Sequence, residues 1–228
     1  MLPTSPVGTE LLDDPAADPA LVASSLRHIV RANRWFGGRA AAVWGVRRLL
    51  AGAAPRAGLT LLDIGTGTGD LPAAIGRSLA SRGIAVKAIG LERSPVAARL
   101  ARGGGLATIL GCAGALPVRP RGVDIVLMSQ VVHHLASDAV VELFRAVTAL
   151  ARVGVVVADL RRSEAAVVAF RVGSAALRFD AVTRADGITS LRRGYTAVEL
   201  LALARRAGAQ ASVARRPGFR LVATWRSS

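Results

Sequence analysis

The sequence predicts an α/β protein with a mostly parallel sheet that is covered by helices on both faces and ends in an antiparallel pair of strands. The first observation is a series of short runs dense in Val, Ile and Leu, at residues 58–64, 84–91, 106–110, 123–128 and 153–158. Helical stretches lie between most of these runs, at residues 70–82, 94–102 and 137–151. Near-continuous apolar strands that alternate with helices are typical of a parallel sheet with both faces buried.

The C-terminal part of the chain has a different pattern. Residues 163–179 are apolar and predicted to be helical, residues 180–195 are predicted as a loop, and residues 196–207 as another helix. The following segment, "AQASVARRPGFRLVATW", contains two apolar stretches around Arg216-Pro217-Gly218, which predicts a hairpin. The sheet is therefore expected to end in antiparallel strands.

The N-terminal part is expected to contain a tail and a helical segment. Residues 1–19 contain four prolines and four acids without a periodic apolar pattern, so we expect a mobile tail. Residues 20–51 predict one or two helices, because Leu21, Leu26 and Ile29 share a stripe that "RWFGGR" interrupts. With 228 residues, 52% of them hydrophobic, the chain suits a single folded domain.

Composition favours a cytoplasmic enzyme or binding protein. Residues 1–26 carry four acids and no basic residue, the opposite of a secretory signal, and no apolar run reaches the ~20 residues of a membrane span. The single cysteine, Cys112, excludes an internal disulfide and a cysteine-based zinc site.

The formal net charge of +15 is compatible with a nucleic-acid partner. However, Lys87 is the only lysine, and the arginines occur as scattered pairs rather than as a basic stripe. Aromatic residues make up only 4% of the chain, so few rings are present to stack on bases. We therefore favour a compositional bias towards arginine over nucleic-acid binding.

A glycine-rich loop follows the first predicted strand, in "LLDIGTGTGD" at residues 61–70. It lacks the lysine of a phosphate-binding P-loop. The spacing of Gly65, Gly67 and Gly69 also departs from the dinucleotide pattern G-x-G-x-x-G, since Asp70 takes the place of the third glycine. A carboxylate there would repel a pyrophosphate, whereas Asp63 and Asp70 together would suit a ligand with a cationic end.

Glu92 ends the second predicted strand, in "AIGLERSP". An acid at this place can accept hydrogen bonds from both hydroxyls of a ribose. The combined pattern indicates a ligand with a ribose, no phosphate and a positive group, and S-adenosylmethionine has all three properties.

Five segments, "LLDIGTGTGD", "GLERS", "ALPV", "VDIVLMSQVVHHL" and "VGVVVADL", resemble the class I S-adenosylmethionine-dependent methyltransferases. The resemblance runs from about residue 58 to the C-terminal hairpin. It implies a Rossmann-like, doubly wound seven-stranded sheet with an antiparallel last strand. Enzymes similar to the ubiquinone- and menaquinone-biosynthesis methyltransferases are the nearest type, and "NRWFGGR" resembles those that act on phenolic or polyketide-like acceptors.

The resemblance also implies that successive segments of the chain have different roles. Beyond the tail, residues 20–228 are expected to form one methyltransferase domain. Its segments are a helical cap, a cofactor-binding core, a substrate lid and a final helix with the hairpin, at residues 20–51, 58–160, 163–195 and 196–228. We expect the cap and the lid together to build the acceptor pocket.

The residues expected to bind S-adenosylmethionine follow from these motifs. They are Asp63, Gly65, Thr66, Gly67, Gly69, Asp70, Glu92, Arg93, Cys112, Ala113 and Ser129. One of them departs from the family, which usually has an acid before its "A-x-x-L-P" segment to bind the adenine amino group. Here "LGCAGALP" has Cys112 at that place, and a thiol is a poor acceptor. Adenine would then be held by backbone groups and apolar packing.

Candidate catalytic residues follow the fourth and fifth strands, where a doubly wound sheet opens its ligand crevice. His133 and His134 are the candidate bases, of which at most one should face the methyl group. We favour His134, oriented by Asp138 or Asp159. The alternative is that both histidines are structural.

Other polar and aromatic residues are secondary candidates. Arg161 is a candidate for steering an acidic or phenolate acceptor. Ser129 and Gln130 are placed similarly to the histidines, and Trp35, Phe36 and Tyr195 are candidates for the roof of the pocket.

The expected partner is a small-molecule acceptor rather than nucleic acid, with no metal and no membrane span. O-methylation and C-methylation both remain open, as does the oligomeric state. Two rival functions are an RNA methyltransferase, favoured only by the charge, and a non-catalytic S-adenosylmethionine-binding protein, which the absence of an acid at Cys112 would suit.

Overall fold

The protein is built around one seven-stranded sheet in the computed structural model, which describes residues 8–51 and 57–227. The strands are β1 Gly58–Ile64, β2 Ala85–Glu92, β3 Ala107–Leu110, β4 Val123–Ser129, β5 Ala151–Leu160, β6 Ser212–Arg216 and β7 Arg220–Arg226. Their order across the sheet is β3-β2-β1-β4-β5-β7-β6. Strands β1 to β5 pair in parallel, whereas β7 is antiparallel to both β5 and β6. The predicted fold class, with its C-terminal hairpin, is confirmed.

Eight helices connect and cover the strands in the described part of the chain. They are α1 Pro19–Trp35, α2 Gly38–Leu50, α3 Asp70–Ala80, α4 Pro95–Gly103, α5 Ser137–Leu150, α6 Glu164–Ala176, α7 Ala181–Arg193 and α8 Ala197–Arg206. Short 3-10 helices lie at Leu11–Asp13 and Val132–His134. No helix within residues 8–51 and 57–227 is long and apolar enough to cross a membrane.

Two apolar clusters hold the layers together. On one face, α2 and α3 pack against the sheet through residues such as Val46 and Ile75. On the other face, α5 and α8 pack through residues such as Phe144 and Leu203. All seven residues of β4 are buried, as expected for a central strand with helices on both faces.

The order of the strands determines where the ligand crevice lies. The chain runs outward from β1 through β2 to β3 and then returns to β4, which lies on the other side of β1. In open α/β sheets, ligands bind beyond the carboxyl ends of the strands at such a switch point. The loops after β1, β2, β4 and β5 meet there, and they carry most of the candidate cofactor-binding and catalytic residues.

The segment from 180 to 195 is mostly helical rather than a loop. Helix α7 covers Ala181–Arg193, and the Asp180 side chain caps it by accepting from the backbone N–H of Thr183 at 2.7 Å. The loop prediction is wrong because the apolar stripe of α7 is weak. Gly187 lies in its middle, and its buried side includes the polar residues Thr183 and Arg193.

The N-terminal segment differs from the expected mobile tail where the structure describes it. Residues 1–7 lie outside the described residues, but Glu10 is buried and forms an ion pair with Arg193 at 3.0 Å. Arg193 also contacts Asp13 at 2.8 Å, and the backbone N–H of Leu11 donates to Asp186. Residues 8–13 are thus tied to α7, more than 170 positions along the chain.

Candidate active site

The glycine loop between β1 and α3 adopts a backbone that requires glycine. Gly65, Gly67 and Gly69 have φ values of 69°, 58° and 81°, in the left-handed region. A Cβ atom at Gly65 would lie 2.5 Å from a methyl group of Val131, and one at Gly69 would lie 2.9 Å from Leu106. The loop therefore combines a tight turn with close packing. Gly65 and Gly67 line a cavity of about 620 Å³, whereas Gly69 does not.

Asp63 is a buried part of the loop rather than a wall of the cavity. Its side chain accepts a hydrogen bond from the Thr66 hydroxyl at 2.7 Å, and its other oxygen has no partner among the described residues. Burial raises the pKa of Asp63 to about 8, and the charges of Asp70 and Glu92 add to the effect. A neutral carboxyl group that braces the loop differs from the carboxylate expected beside a cationic ligand.

Replacing Asp63 with asparagine should change how stability depends on pH. A folded-state pKa of about 8 lies above the ordinary value of 3.8, so the native protein holds a proton that the unfolded chain releases between these pH values. Wild-type stability should therefore decline as pH rises through this window, by up to ~1.4 kcal/mol per pH unit, relative to Asp63→Asn. Urea unfolding of both proteins at pH 5, 6, 7 and 8 measures the difference. Parallel pH curves would show that Asp63 does not titrate in this range.

Asp70 and Glu92 both line the cavity, as expected. Asp70 is the first residue of α3 and accepts long hydrogen bonds of 3.4 Å from Asn33. Burial raises its pKa. Glu92 accepts from the backbone N–H groups of Gly67 at 2.8 Å and Ser94 at 2.9 Å. Glu92, at the end of β2, thus binds the glycine loop that follows the neighbouring strand β1.

The remaining predicted cofactor residues also lie on the cavity wall, namely Thr66, Arg93, Cys112, Ala113 and Ser129. Cys112 is exposed, and Ser129 is buried with a hydroxyl that finds no partner within residues 8–51 and 57–227. Arg93 reaches towards the N-terminal segment, where it donates to the Leu12 carbonyl at 2.8 Å.

The two histidines after β4 have different partners. His133 is buried, and its Nδ1 lies 2.6 Å from Asp159 Oδ1, while its Nε2 has no partner in the part of the chain that the structure describes. Asp159 also accepts from the backbone N–H groups of Val132 and Leu160. Burial alone would raise the pKa of Asp159, but its electrostatic interaction and hydrogen bond with the His133 ring hold that pKa below its usual value. This arrangement orients one imidazole firmly against the sheet.

His134 belongs to the network of the N-terminal segment instead. Its Nδ1 lies 2.9 Å from Asp13, and its Nε2 lies 3.8 Å from Glu10. Burial would lower the pKa of His134, but the hydrogen bond to Asp13 and the charges of both acids raise it. The expectation that Asp138 or Asp159 orients His134 is wrong in geometry, since Asp159 holds His133 and Asp138 pairs with Arg206 at the surface.

Glu10 and the two histidines form a group of metal-ligating residue types. One ligand atom each from Glu10, His133 and His134 falls within 4.8 Å of the others. The guanidinium of Arg193 contacts Glu10 and lies 3.3 Å from His134 Nδ1. A positive charge is therefore already present in this cluster.

Part of the cavity wall is aromatic. Phe36, Phe170 and Phe179 line it and contact one another with ring centroids 5.4 to 6.4 Å apart. Trp35, a candidate for the roof of the pocket, also lines it but is 62% exposed. Tyr195 does not line it, and its hydroxyl donates to the Val132 carbonyl at 3.0 Å, bracing the turn before His133.

Arg220 lines the cavity, whereas the predicted Arg161 does not. Arg161 lies outside the cavity wall, with its guanidinium 5.1 Å from the ring centre of Phe219. Arg220 begins β7, lines the cavity, and is only 4% exposed. Sequence reasoning misses it because it is one of many scattered arginines and follows a hairpin rather than a motif.

The comparisons with known proteins agree with this geometry. Residues 62–158 match the family model described as a methyltransferase domain. This match spans β1 to β5, which includes the glycine loop, Glu92 and both histidines. Residues 62–158 form a class I S-adenosylmethionine-dependent methyltransferase domain. The resemblance to the class I methyltransferases is confirmed at the level of this domain, and the cofactor of the enzyme is S-adenosylmethionine.

Solved structures support the fold across nearly the whole chain. The plantazolicin methyltransferase BpumL in complex with SAH covers 96% of this chain and 94% of its own, with a TM-score of 0.66 and 14% identity. A SAM-dependent methyltransferase from Aquifex aeolicus covers 92% and 99%, with a TM-score of 0.60 and 14% identity. An O-methyltransferase family protein from Burkholderia thailandensis covers 99% of this chain and 65% of its own, with a TM-score of 0.66 and 13% identity. No curated protein matches the sequence significantly.

Proposed function

We propose that this methyltransferase acts on a small planar acceptor of phenolic, quinol or polyketide-like type, at an oxygen or a ring carbon. The observation that carries the proposal is that one cavity joins the glycine loop, the His133–Asp159 pair and the wall of phenylalanines. Most of the surface that the cavity wall exposes is apolar, and the polar groups among it can orient a flat organic ligand.

The groups at the glycine loop fit the cofactor. Backbone at Gly65 and Gly67 has no side chain to keep a ligand away, and the Asp70 carboxyl group faces the same cavity. Asp70 would bind the ammonium of the methionine part. Glu92 would accept from the ribose hydroxyls, because each of its oxygens retains a second lone pair after binding a loop N–H.

The adenine end would lie near Cys112 and Ala113, both in the loop after β3. Neither side chain can replace the acid that the family usually has there. Adenine would therefore rely on packing and on backbone groups, with Thr66, Arg93 and Ser129 completing the cofactor side of the cavity.

The protein's own contribution to the reaction is positioning and proton removal. When bound, the cofactor would supply a methyl group on its sulfonium for in-line displacement, with S-adenosylhomocysteine as the leaving group. Holding the acceptor in line and excluding water can supply ~7–11 kcal/mol of the barrier in favourable cases. With a proton on Nδ1 donated to Asp159, His133 keeps an unprotonated Nε2 that can accept the proton of a phenol or of a ring carbon after attack.

The test is a turnover assay with S-adenosylmethionine and a panel of phenols, quinols and polyketides, followed by mass spectrometry. Formation of S-adenosylhomocysteine together with a product that is heavier by the mass of one CH2 group supports the proposal. Cofactor binding without methylation of any acceptor would instead support a non-catalytic role.

Replacing Glu92 with glutamine should weaken binding of S-adenosylhomocysteine by ~1.5–3 kcal/mol, the range for a hydrogen bond to a charged group. The reason is that an amide cannot accept from two hydroxyls and two loop N–H groups at once. Calorimetric titration measures the effect, and Glu142→Gln, an exposed site on α5, is the matched control. Unchanged affinity in a folded Glu92→Gln protein would contradict the ribose assignment.

A further inference from the structure

Arg220 is a buried cation without an ion-paired acid among the described residues. Its side chain forms one hydrogen bond in the described structure, from Nε to the Phe36 carbonyl at 3.0 Å, while Nη1 is buried with no partner. Asp159 is the acid that interacts electrostatically with Arg220, but its carboxylate is already bound by His133 and two backbone N–H groups. Burial lowers the pKa of Arg220 to about 10, so the guanidinium remains charged at neutral pH.

An isolated buried charge is costly, and proteins retain one where an opposite charge compensates it. Arg220 lines the cavity, so a ligand in the cavity can supply that charge. A guanidinium presents a planar set of donors that matches a carboxylate, and it also binds a phenolate oxygen.

The cavity wall that includes Arg220 also carries aromatic rings. Phe36 and Phe170 contact each other edge to face, and Phe219 lies next to Arg220 in the chain and also lines the cavity. Two helix-interior glycines make room for these rings. A Cβ atom at Gly173 would lie 2.6 Å from the Phe36 ring, and one at Gly187 would collide with Phe170. Glycine inside a helix is destabilising, which indicates that the position of the rings matters.

From these observations we infer that the acceptor is a planar aromatic acid, whose carboxylate or ionised hydroxyl pairs with Arg220 while its ring lies against the phenylalanines. This inference rests on the proposed function, since it names the class of acceptor for the same cavity. It places a specificity-determining residue on β7, outside the residues 62–158 that match the methyltransferase domain.

The experiment compares matched acids and amides in the presence of saturating S-adenosylhomocysteine. The probes are benzoate, 2-naphthoate and anthracene-2-carboxylate, each with its neutral carboxamide, titrated by calorimetry. For the best-fitting ring, the wild type should bind the acid at least tenfold more tightly than the amide. Arg220→Gln should reduce that preference to less than threefold, and Arg220→Lys should retain part of it.

Arg161→Gln is the control, because Arg161 also lies near Phe219 but outside the cavity wall. It should keep the full preference for the acid. Equal binding of acid and amide by the wild type, an undiminished preference in folded Arg220→Gln, or no binding of any probe would overturn the inference. If Arg220→Gln does not fold, Arg220→Lys takes its place. The inference is then contradicted if Arg220→Lys prefers the acid over the amide as strongly as the wild type does. The titration measures binding only. The proposed function is tested by the separate turnover assay, so the failure of one can be distinguished from the failure of the other.

Discussion

Replacing His133 with alanine should lower the rate of methyl transfer by about 100- to 10,000-fold, the usual range for losing a general base. The structure gives the reason, because Asp159 fixes the His133 ring at 2.6 Å, and Nε2 is buried without a partner among the described residues in a residue that lines the cavity. The measurement is the single-turnover rate at saturating cofactor with an acceptor from the panel. Binding of S-adenosylhomocysteine should change by no more than a few-fold.

The neighbouring histidine supplies the matched control. His134→Ala removes a ring that contacts Asp13 and Glu10 rather than Asp159, so its effect on the chemical step should be small. Asp159→Asn should slow the reaction in the same direction as His133→Ala, and the two losses should not add, since both act through one imidazole. A His133→Ala rate within a few-fold of wild type would mean that the enzyme works by positioning alone.

The pattern around β1 and β2 can be predicted from the sequence because its causes are local. Three alternate glycines after an apolar run require a turn with positive φ, and Glu92 comes at the end of the next apolar run. Each of these features depends on residues within a few positions of each other. The cofactor class therefore follows from the amino-acid sequence alone.

Features that depend on distant partners cannot be predicted in the same way. The choice between His133 and His134 depends on which ring Asp159 reaches, and Asp159 lies on the next strand of the sheet. Similarly, the cavity contains Arg220 rather than Arg161 because β7 inserts beside β5 and brings its first residue to the crevice. A sequence rich in arginine carries no signal of which arginine is buried.

The structures of helix α7 and the N-terminal segment also depend on distant partners and could not be predicted. Neither has a strong apolar periodicity, so each is predicted to be irregular when taken alone. Each stabilises the other through the ion pairs of Arg193 with Glu10 and Asp13. A polar interface of this kind gives no pattern of spacing that sequence reasoning can detect.

Replacing Arg193 with methionine should therefore lower the free energy of unfolding by about 3–5 kcal/mol, the usual cost of removing one partner from a buried ion pair. The side chain of Arg193 is 4% exposed and that of Glu10 is 7% exposed, so water cannot readily take the place of the lost guanidinium. Chemical denaturation at neutral pH measures the loss. Arg192→Met, an exposed neighbour on the same helix, should change stability by less than ~0.5 kcal/mol.

The double variant Glu10→Gln/Arg193→Met separates the ion pair from simple loss of packing. Removing both charges leaves no buried carboxylate at position 10 without its partner, so the double variant should regain part of the stability that Arg193→Met loses. Deleting residues 1–14 should also destabilise the protein, because it strips Arg193 of both Glu10 and Asp13. If Arg193→Met and the truncation are both as stable as Arg192→Met, the N-terminal segment does not pack on α7 in solution. Residues 8–13 would then belong to the mobile tail that their composition predicts.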